Sequence, residues 1–281
     1  MRAVGLLIGA CLASCRTSAP APTLEGTTSS ALAPAVASSV ETPPTSTELP
    51  PLRGVSWLEP LALPEGKMAF VTPPIFAREP RPLMVAVHGA GDRPEWACGG
   101  WRLAASEFAF VVCPQGLPMD ANRFAWDQPK TIASRVQSAI AAVRARFGAY
   151  VADGPTLYLG FSQGATLADK ALLDLPDAFA GVALAEGGYN LIRDARFARR
   201  LREHGTQRLL LVCGSPACFS TAQSRVPSLT KAGFELAVAG DPLSGHNLNQ
   251  RMQVALRKAW PSFVRGLPNW SRFESYLSTR P

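Results

Sequence analysis

Three histidines, 21 acidic residues and a charged fraction of 17% are low counts for a chain of 281 residues, and each scarcity closes off a class of function. The histidines, at positions 88, 204 and 246, show no ligand spacing with one another or with the six cysteines, so no metal site is indicated. The formal charge of +7 comes from dispersed Lys and Arg. The one dense cluster, from Arg193 to Arg202, follows a helical pattern and reads as a solvated helix face, so nucleic acid is not an expected partner. A basic protein of this kind leans, if anywhere, towards an anionic envelope surface. Residues 16–52 lack aromatics and Lys altogether and are almost entirely Ala, Pro, Ser and Thr. Such a stretch cannot bury enough apolar surface to offset its ordering entropy, and is expected to be a disordered tether. What remains, residues 53–281, is long enough and apolar enough for one large core, and one globular domain is expected there.

Ahead of the tether, Met1-Arg2 and the apolar run from Ala3 to Ala13 are too short for a membrane-spanning helix and read as a targeting segment over residues 1–15. Leu12-Ala13-Ser14-Cys15 resembles the lipobox of bacterial lipoproteins, in which the Cys is lipidated; Ile8-Gly9-Ala10-Cys11 is a weaker second match. The resemblance implies a cell-envelope protein that contacts the membrane through a lipid on Cys15, with the tether as spacer. An ordinary secretory signal, giving a secreted or periplasmic protein, is the alternative. Either route leads to an oxidising compartment, where Cys98, Cys113, Cys213 and Cys218 would persist as disulfides. Three pairings are available, of which local spacing favours Cys98 with Cys113 and Cys213 with Cys218; four free buried thiols are the alternative.

From Pro82 onward short apolar runs alternate with amphipathic stretches, the pattern of a parallel sheet with crossover helices, hence an α/β fold. Strands are expected at residues 83–87, 108–113, 156–159, 181–185, 209–213 and 234–239. Helices are expected at about 96–107, 131–147, 163–173, 193–203, 221–231 and 249–263. Two earlier segments, 55–58 and 67–71, are expected to pair as an antiparallel edge. The connection between the 181 and 209 strands holds one helix and no large cap, which leaves an open site. The tail from Asn269 to Leu277, with Trp270, Phe273 and Tyr276, is expected to dock on the core as a helix.

Gly160-Phe161-Ser162-Gln163-Gly164 fits a nucleophile elbow, where a sharp strand-to-helix turn needs small residues on both sides of the Ser. It follows the apolar Thr156-Leu157-Tyr158-Leu159 and opens a helical stretch, the context the motif requires. The oxyanion donors are then the backbone N–H of Gln163 and that of Ala90, in the loop after an earlier strand. The base must follow the last strand, which selects His246 in Ser244-Gly245-His246-Asn247. His88 precedes the nucleophile and is assigned to shaping the oxyanion loop; His204 closes a helical pattern before Gly205, where a cation suits a helix C-terminus. Trp96, Trp101, Phe124, Trp126 and Tyr189 fall in segments expected near the C-terminal rim of the sheet.

Together, His88-Gly89-Ala90-Gly91-Asp92, Gly160-Phe161-Ser162-Gln163-Gly164-Ala165 and Gly245-His246 resemble the carboxylesterase and acyl-protein-thioesterase branch of the α/β-hydrolases, over about residues 82–263. The resemblance implies hydrolysis of a small-molecule carboxylic ester or thioester by an acyl-enzyme route without a cofactor. It also implies an acid in the turn after the 209–213 strand, yet no Asp or Glu occurs from Gly214 to Phe234. Glu186, directly after the preceding strand, and Asp241, close to His246, are the candidates in its place; a Ser-His dyad or an inactive site is the further alternative. The missing acid also leaves room for a non-catalytic binding protein of the cell envelope built on the same fold.

Overall fold

The computed structural model describes residues 48–175, 179–188 and 193–279. The targeting segment, Cys15, nearly all of the tether and Tyr189 lie outside the described residues.

The central strands of the sheet are buried along nearly their whole length because both faces of the sheet are covered. Strands β1 (Glu59–Ala62) and β2 (Met68–Thr72) come first, then β3 (Leu83–Val87) and helix α1 (Pro94–Ala104). Strand β4 (Phe110–Pro114), a small ribbon of β5 (Leu117–Pro118) with β6 (Phe124–Ala125), and α2 (Pro129–Phe147) follow. After β7 (Thr156–Phe161) stand two short helical turns, α3 (Gln163–Thr166) and α4 (Ala168–Ala171), then β8 (Phe179–Ala185) and α5 (Ala195–Glu203). The chain closes with β9 (Arg208–Cys213), α6 (Pro216–Lys231), β10 (Glu235–Gly240), α7 (Gln250–Val264) and α8 (Phe273–Ser278). The eight-stranded sheet has the order β1-β2-β4-β3-β7-β8-β9-β10. Strands β1 and β2 form the expected antiparallel edge, and every pairing from β4 to β10 is parallel.

Alternate residues of each strand feed different cores. Val85, Val87, Tyr158, Val182, Leu184 and Leu211 pack under α2, α5 and α6 on one face. Met84, Ala86, Leu159, Ala183, Leu210 and Val212 pack under α1, α7 and α8 on the other. Tail residues Trp270, Phe273 and Tyr276 surround Phe108 with ring centroids 5.6, 5.3 and 5.0 Å away, as a docked tail requires. Cys98 is bonded to Cys113, tying α1 to β4, and Cys213 to Cys218, tying β9 to α6.

Several boundaries differ from the sequence reading: the helix expected at 163–173 is broken into the two short turns α3 and α4, and three further differences have a clear cause. The first edge strand begins at Glu59, and Val55 ahead of it is 98% exposed. Hydropathy misplaces it because Glu59 is buried, where it accepts the Val55 N–H and pairs with Arg146. The packed chain starts ahead of Arg53: Leu52 is buried and its N–H donates to the Ala77 carbonyl at 2.8 Å. Helix α6 opens at Pro216 and not near Thr221, since Pro at the first helical position gives up no helical hydrogen bond and Ser215 caps the turn.

Candidate active site

The parallel register lines up the C-terminal ends of the central strands. Phe161 pairs with Ala185, Ala185 with Val212, and Val212 with Ala239, so the residues that follow emerge along one edge. Ser162 is the first beyond β7 and sits at φ 52°, ψ −111°, a left-handed conformation rare for a residue with a side chain. Its N–H donates to the Ala185 carbonyl at 2.8 Å, and α3 starts at the next residue. A Cβ on Gly164 would stand 2.4 Å from the Val87 carbonyl oxygen, and one on Gly160 2.8 Å from the Ala165 nitrogen. The two flanking glycines are therefore required by close packing of backbone on backbone.

His246 Nε2 lies 2.8 Å from Ser162 Oγ, and His246 Nδ1 lies 3.4 Å from Glu186 Oε2. Glu186 is only 8% exposed and its other oxygen accepts the Gly214 N–H. Gly214 in turn accepts, on its carbonyl, the N–H of Gly245, the residue before His246, at 2.7 Å. Asp241 is turned elsewhere: one carboxylate oxygen accepts the Leu243 N–H at 2.8 Å and the other faces Arg251 at 3.9 Å. Of the two candidate acids, Glu186 is the one brought to His246.

The loop after β3 is held by buried polar contacts. His88 Nε2 accepts the Gly116 N–H at 3.0 Å, which leaves Nδ1–H to donate to the Gly89 carbonyl at 2.7 Å. Burial pushes the His88 pKa below the ordinary imidazole value, and the ring is neutral. Trp126 Nε1 donates to the His88 carbonyl at 3.0 Å. The Gln163 side chain is clamped to the Trp126 backbone by two bonds of 2.8 Å, one given and one accepted. Asp92 receives the N–H groups of Gly89 and Arg93. Among the described residues no acceptor is bound to the backbone N–H of Ala90 or Gln163, the two donors expected to face an oxyanion. His204 caps α5, its ring nitrogen 2.8 Å from the Leu175 carbonyl.

Ser162 and His246 open into a groove of about 1000 Å³ that follows α1. Its floor carries Gly99 and Gly100, and its walls include Trp57, Trp96, Leu103 and Leu248. Of the aromatics expected at the rim, Trp96 (61% exposed) lines the groove, whereas Trp101 is fully buried against Trp260 and Trp126 is buried beside His88. A signal for Trp101 is present, since Ala97, Cys98, Trp101 and Ala104 form the buried stripe of α1 at helical spacing. Phe124 meets His88 edge-on at 6.4 Å, behind the loop. Trp57 (45% exposed) was not foreseen; it reaches the groove from the segment expected to be an edge strand. Glu186, Cys213 and Cys218 bring a carboxylate oxygen and two sulfurs within 4.8 Å of one another, but the sulfurs are joined and offer no thiolate to a metal.

No family description and no curated protein matches the chain by sequence. In structure it is similar to an uncharacterized protein from Bacillus cereus ATCC 10987, with a TM-score of 0.54, 18% identity, and coverage of 67% of this chain and 61% of that one. It is similar also to a ferulic acid esterase (TM-score 0.52, 14% identity, 74% and 97% coverage). A third likeness is to the Pyrococcus horikoshii acylaminoacyl peptidase (TM-score 0.50, 14% identity, 78% and 42% coverage). The chain thus spans less than two thirds of the first and third of these proteins, and at such identities the likeness is one of fold.

Proposed function

We propose that this chain, an α/β-hydrolase by fold, is a serine hydrolase that cleaves a carboxylic ester or thioester through an acyl-enzyme. The observation that carries the reading is the continuous relay from Ser162 Oγ to His246 Nε2 at 2.8 Å and from His246 Nδ1 to Glu186 at 3.4 Å. Ser162 attacks the carbonyl carbon while His246 Nε2 takes its proton; Glu186 holds the imidazole in the tautomer with Nδ1–H and stabilises the imidazolium. Negative charge collects on the former carbonyl oxygen, where the N–H groups of Ala90 and Gln163 stabilise it. His246 returns the proton to the departing alcohol or thiol, and water, deprotonated by the same imidazole, then releases the acid. No step calls for a cofactor.

The groove along α1 supports a substrate with an extended apolar arm. From Trp96 to Leu103 the helix advances about 10 Å at ~1.5 Å per residue, and the exposed Trp57, Trp96 and Leu103 lie along that length. Exposed apolar side chains gathered in one cleft mark a binding surface. The binding-protein alternative was motivated by the missing acid in the turn after β9; a carboxylate arriving from β8 removes that motive. The two disulfides accord with an oxidising compartment, and among the described residues no helix is long and apolar enough to cross a membrane. The disulfides support export, and the lipid on Cys15 rests on the resemblance of Leu12-Ala13-Ser14-Cys15 to a lipobox.

Hydrolysis of methyl acetate, methyl octanoate and octyl acetate, followed by proton release, tests the reading. Turnover of at least one of these esters by the wild type, lost in Ser162→Ala, is the expected result; no turnover of any of them, or equal turnover by Ser162→Ala, overturns it.

A further inference from the structure

The peptide of Gly214 touches both partners of the nucleophile's relay. Its N–H donates to Glu186, and its carbonyl accepts the N–H of Gly245, next to His246, at 2.7 Å. The contact is too close for any side chain: a Cβ at Gly214 would lie 2.0 Å from the Gly245 carbonyl oxygen. One backbone unit thus anchors the carboxylate on β8 and the loop that presents the imidazole.

That unit lies inside the ring closed by Cys213 and Cys218, five residues apart. Cys213 is the last residue of β9 and Cys218 stands in the first turn of α6, so the bond ties the start of the helix back to the end of the strand. Both cysteines are buried, and the Glu186 carboxylate lies against their sulfurs, within 4.8 Å. Within the turn Ser215 Oγ also accepts the Cys218 N–H at 3.3 Å. The second disulfide, Cys98–Cys113, joins α1 to β4, elements that carry neither Glu186 nor His246.

We infer that the Cys213–Cys218 disulfide is a positioning device for the relay: by closing the turn around Gly214 it keeps Glu186 against His246. The inference rests on the assignment of Ser162, His246 and Glu186 made above. Opening the bond lets the sulfurs separate and the first turn of α6 drift, and Glu186 and His246 lose their shared anchor together. Most of the groove is lined by α1, α7 and Trp57, with Asn247 and Leu248 added from the loop that the turn anchors. The loss therefore falls mainly on turnover and leaves most of the substrate's contacts in place.

The test compares Cys213→Ala/Cys218→Ala with Cys98→Ala/Cys113→Ala, each confirmed folded by circular dichroism. The first should lose roughly tenfold or more in kcat with KM within about twofold, and the second should keep kcat within about threefold. In a Glu186→Gln background, removing Cys213 and Cys218 should cost less than about twofold further, because the two changes act through one contact. A general structural role predicts the full loss in both backgrounds, and that result overturns the inference, as does unchanged kcat in the folded double variant. Should Cys213→Ala/Cys218→Ala not fold, the native protein is reduced stepwise with dithiothreitol and alkylation mapped by mass; activity surviving complete alkylation at Cys213 and Cys218 refutes the role. A wild type that a fluorophosphonate fails to label at Ser162 sinks the underlying assignment, whereas normal labelling with undiminished turnover in the double variant sinks the positioning role alone.

Discussion

Replacing Glu186 by Gln keeps the size of the side chain and changes one thing, the character of the atom that faces His246. The amide oxygen can still accept the Gly214 N–H, so the amide nitrogen is left to point at His246 Nδ1 from 3.4 Å. A donor there favours the tautomer with Nδ1 bare and Nε2 protonated, and Nε2 is the atom 2.8 Å from Ser162 Oγ that must take the proton. The imidazolium also loses the adjacent negative charge. In the Ser-His-Asp triad that serves as the general template, the amide substitution lowers turnover about ten-thousandfold. That corresponds to about 5.4 kcal/mol of transition-state stabilisation at ~1.36 kcal/mol per decade. Steady-state hydrolysis of the best ester by Glu186→Gln should show a loss on that scale, while the urea midpoint stays close to wild type. Asp241→Asn, whose carboxylate faces Leu243 and Arg251, should stay within about threefold of wild type. A Glu186→Gln enzyme within about tenfold of wild type would refute the reasoning, and a large loss in Asp241→Asn would move the acid to that position.

Gly99→Leu should fill the floor of the groove between Trp96 and Trp57, since a Cβ at that position already approaches the Trp57 ring to 3.8 Å. The expected outcome is a fall of roughly tenfold or more in kcat/KM for the long-arm ester the wild type prefers, with methyl acetate little affected; an equal fall for both shows that the groove does not select. His88 titrates below the ordinary imidazole range in the folded chain because it is buried, so the unfolded chain binds its proton first as pH falls. Its contribution to stability is complete above about pH 6.5 and is lost as pH drops below that value, with a limiting slope of ~1.36 kcal/mol per pH unit. Urea unfolding between pH 7 and pH 5 should show this dependence in wild type and a shallower one in His88→Gln; identical slopes would contradict the assignment. In a bacterial host Cys15→Ser should abolish membrane partitioning, and fractionation that leaves it unchanged would rule out the lipid anchor.

What could be read from the sequence was what is local in it. The elbow is five consecutive residues preceded by an apolar strand, and the order of strands puts His246 after the last of them, so both residues of the 2.8 Å Ser-His contact are legible in the sequence. Glu186 and Asp241 stayed unresolved because the choice depends on register: Phe161 beside Ala185 and Ala185 beside Val212 bring Glu186 to the site edge, and no local pattern encodes that. The disulfide pairs that local spacing favours among the three possible pairings are the pairs found. The groove was the least legible part. Trp57 reaches it from a segment about forty residues away from Trp96, while Trp101 was placed at the rim despite an i, i+4 stripe that turns it inward. Glu59 displaced the first strand for a related reason: a carboxylate neutralised by Arg146, 87 positions on, reads as a surface residue when its partner is out of view.

Acyl-enzyme chemistry requires Ser162 to be an activated nucleophile. Reaction of the purified chain with a fluorophosphonate, followed by peptide mass mapping, measures that directly. It predicts a single phosphonyl adduct on Ser162, absent from Ser162→Ala and formed far more slowly in His246→Ala. A folded wild-type chain that takes up no label, or one labelled equally after Ser162→Ala, would contradict it.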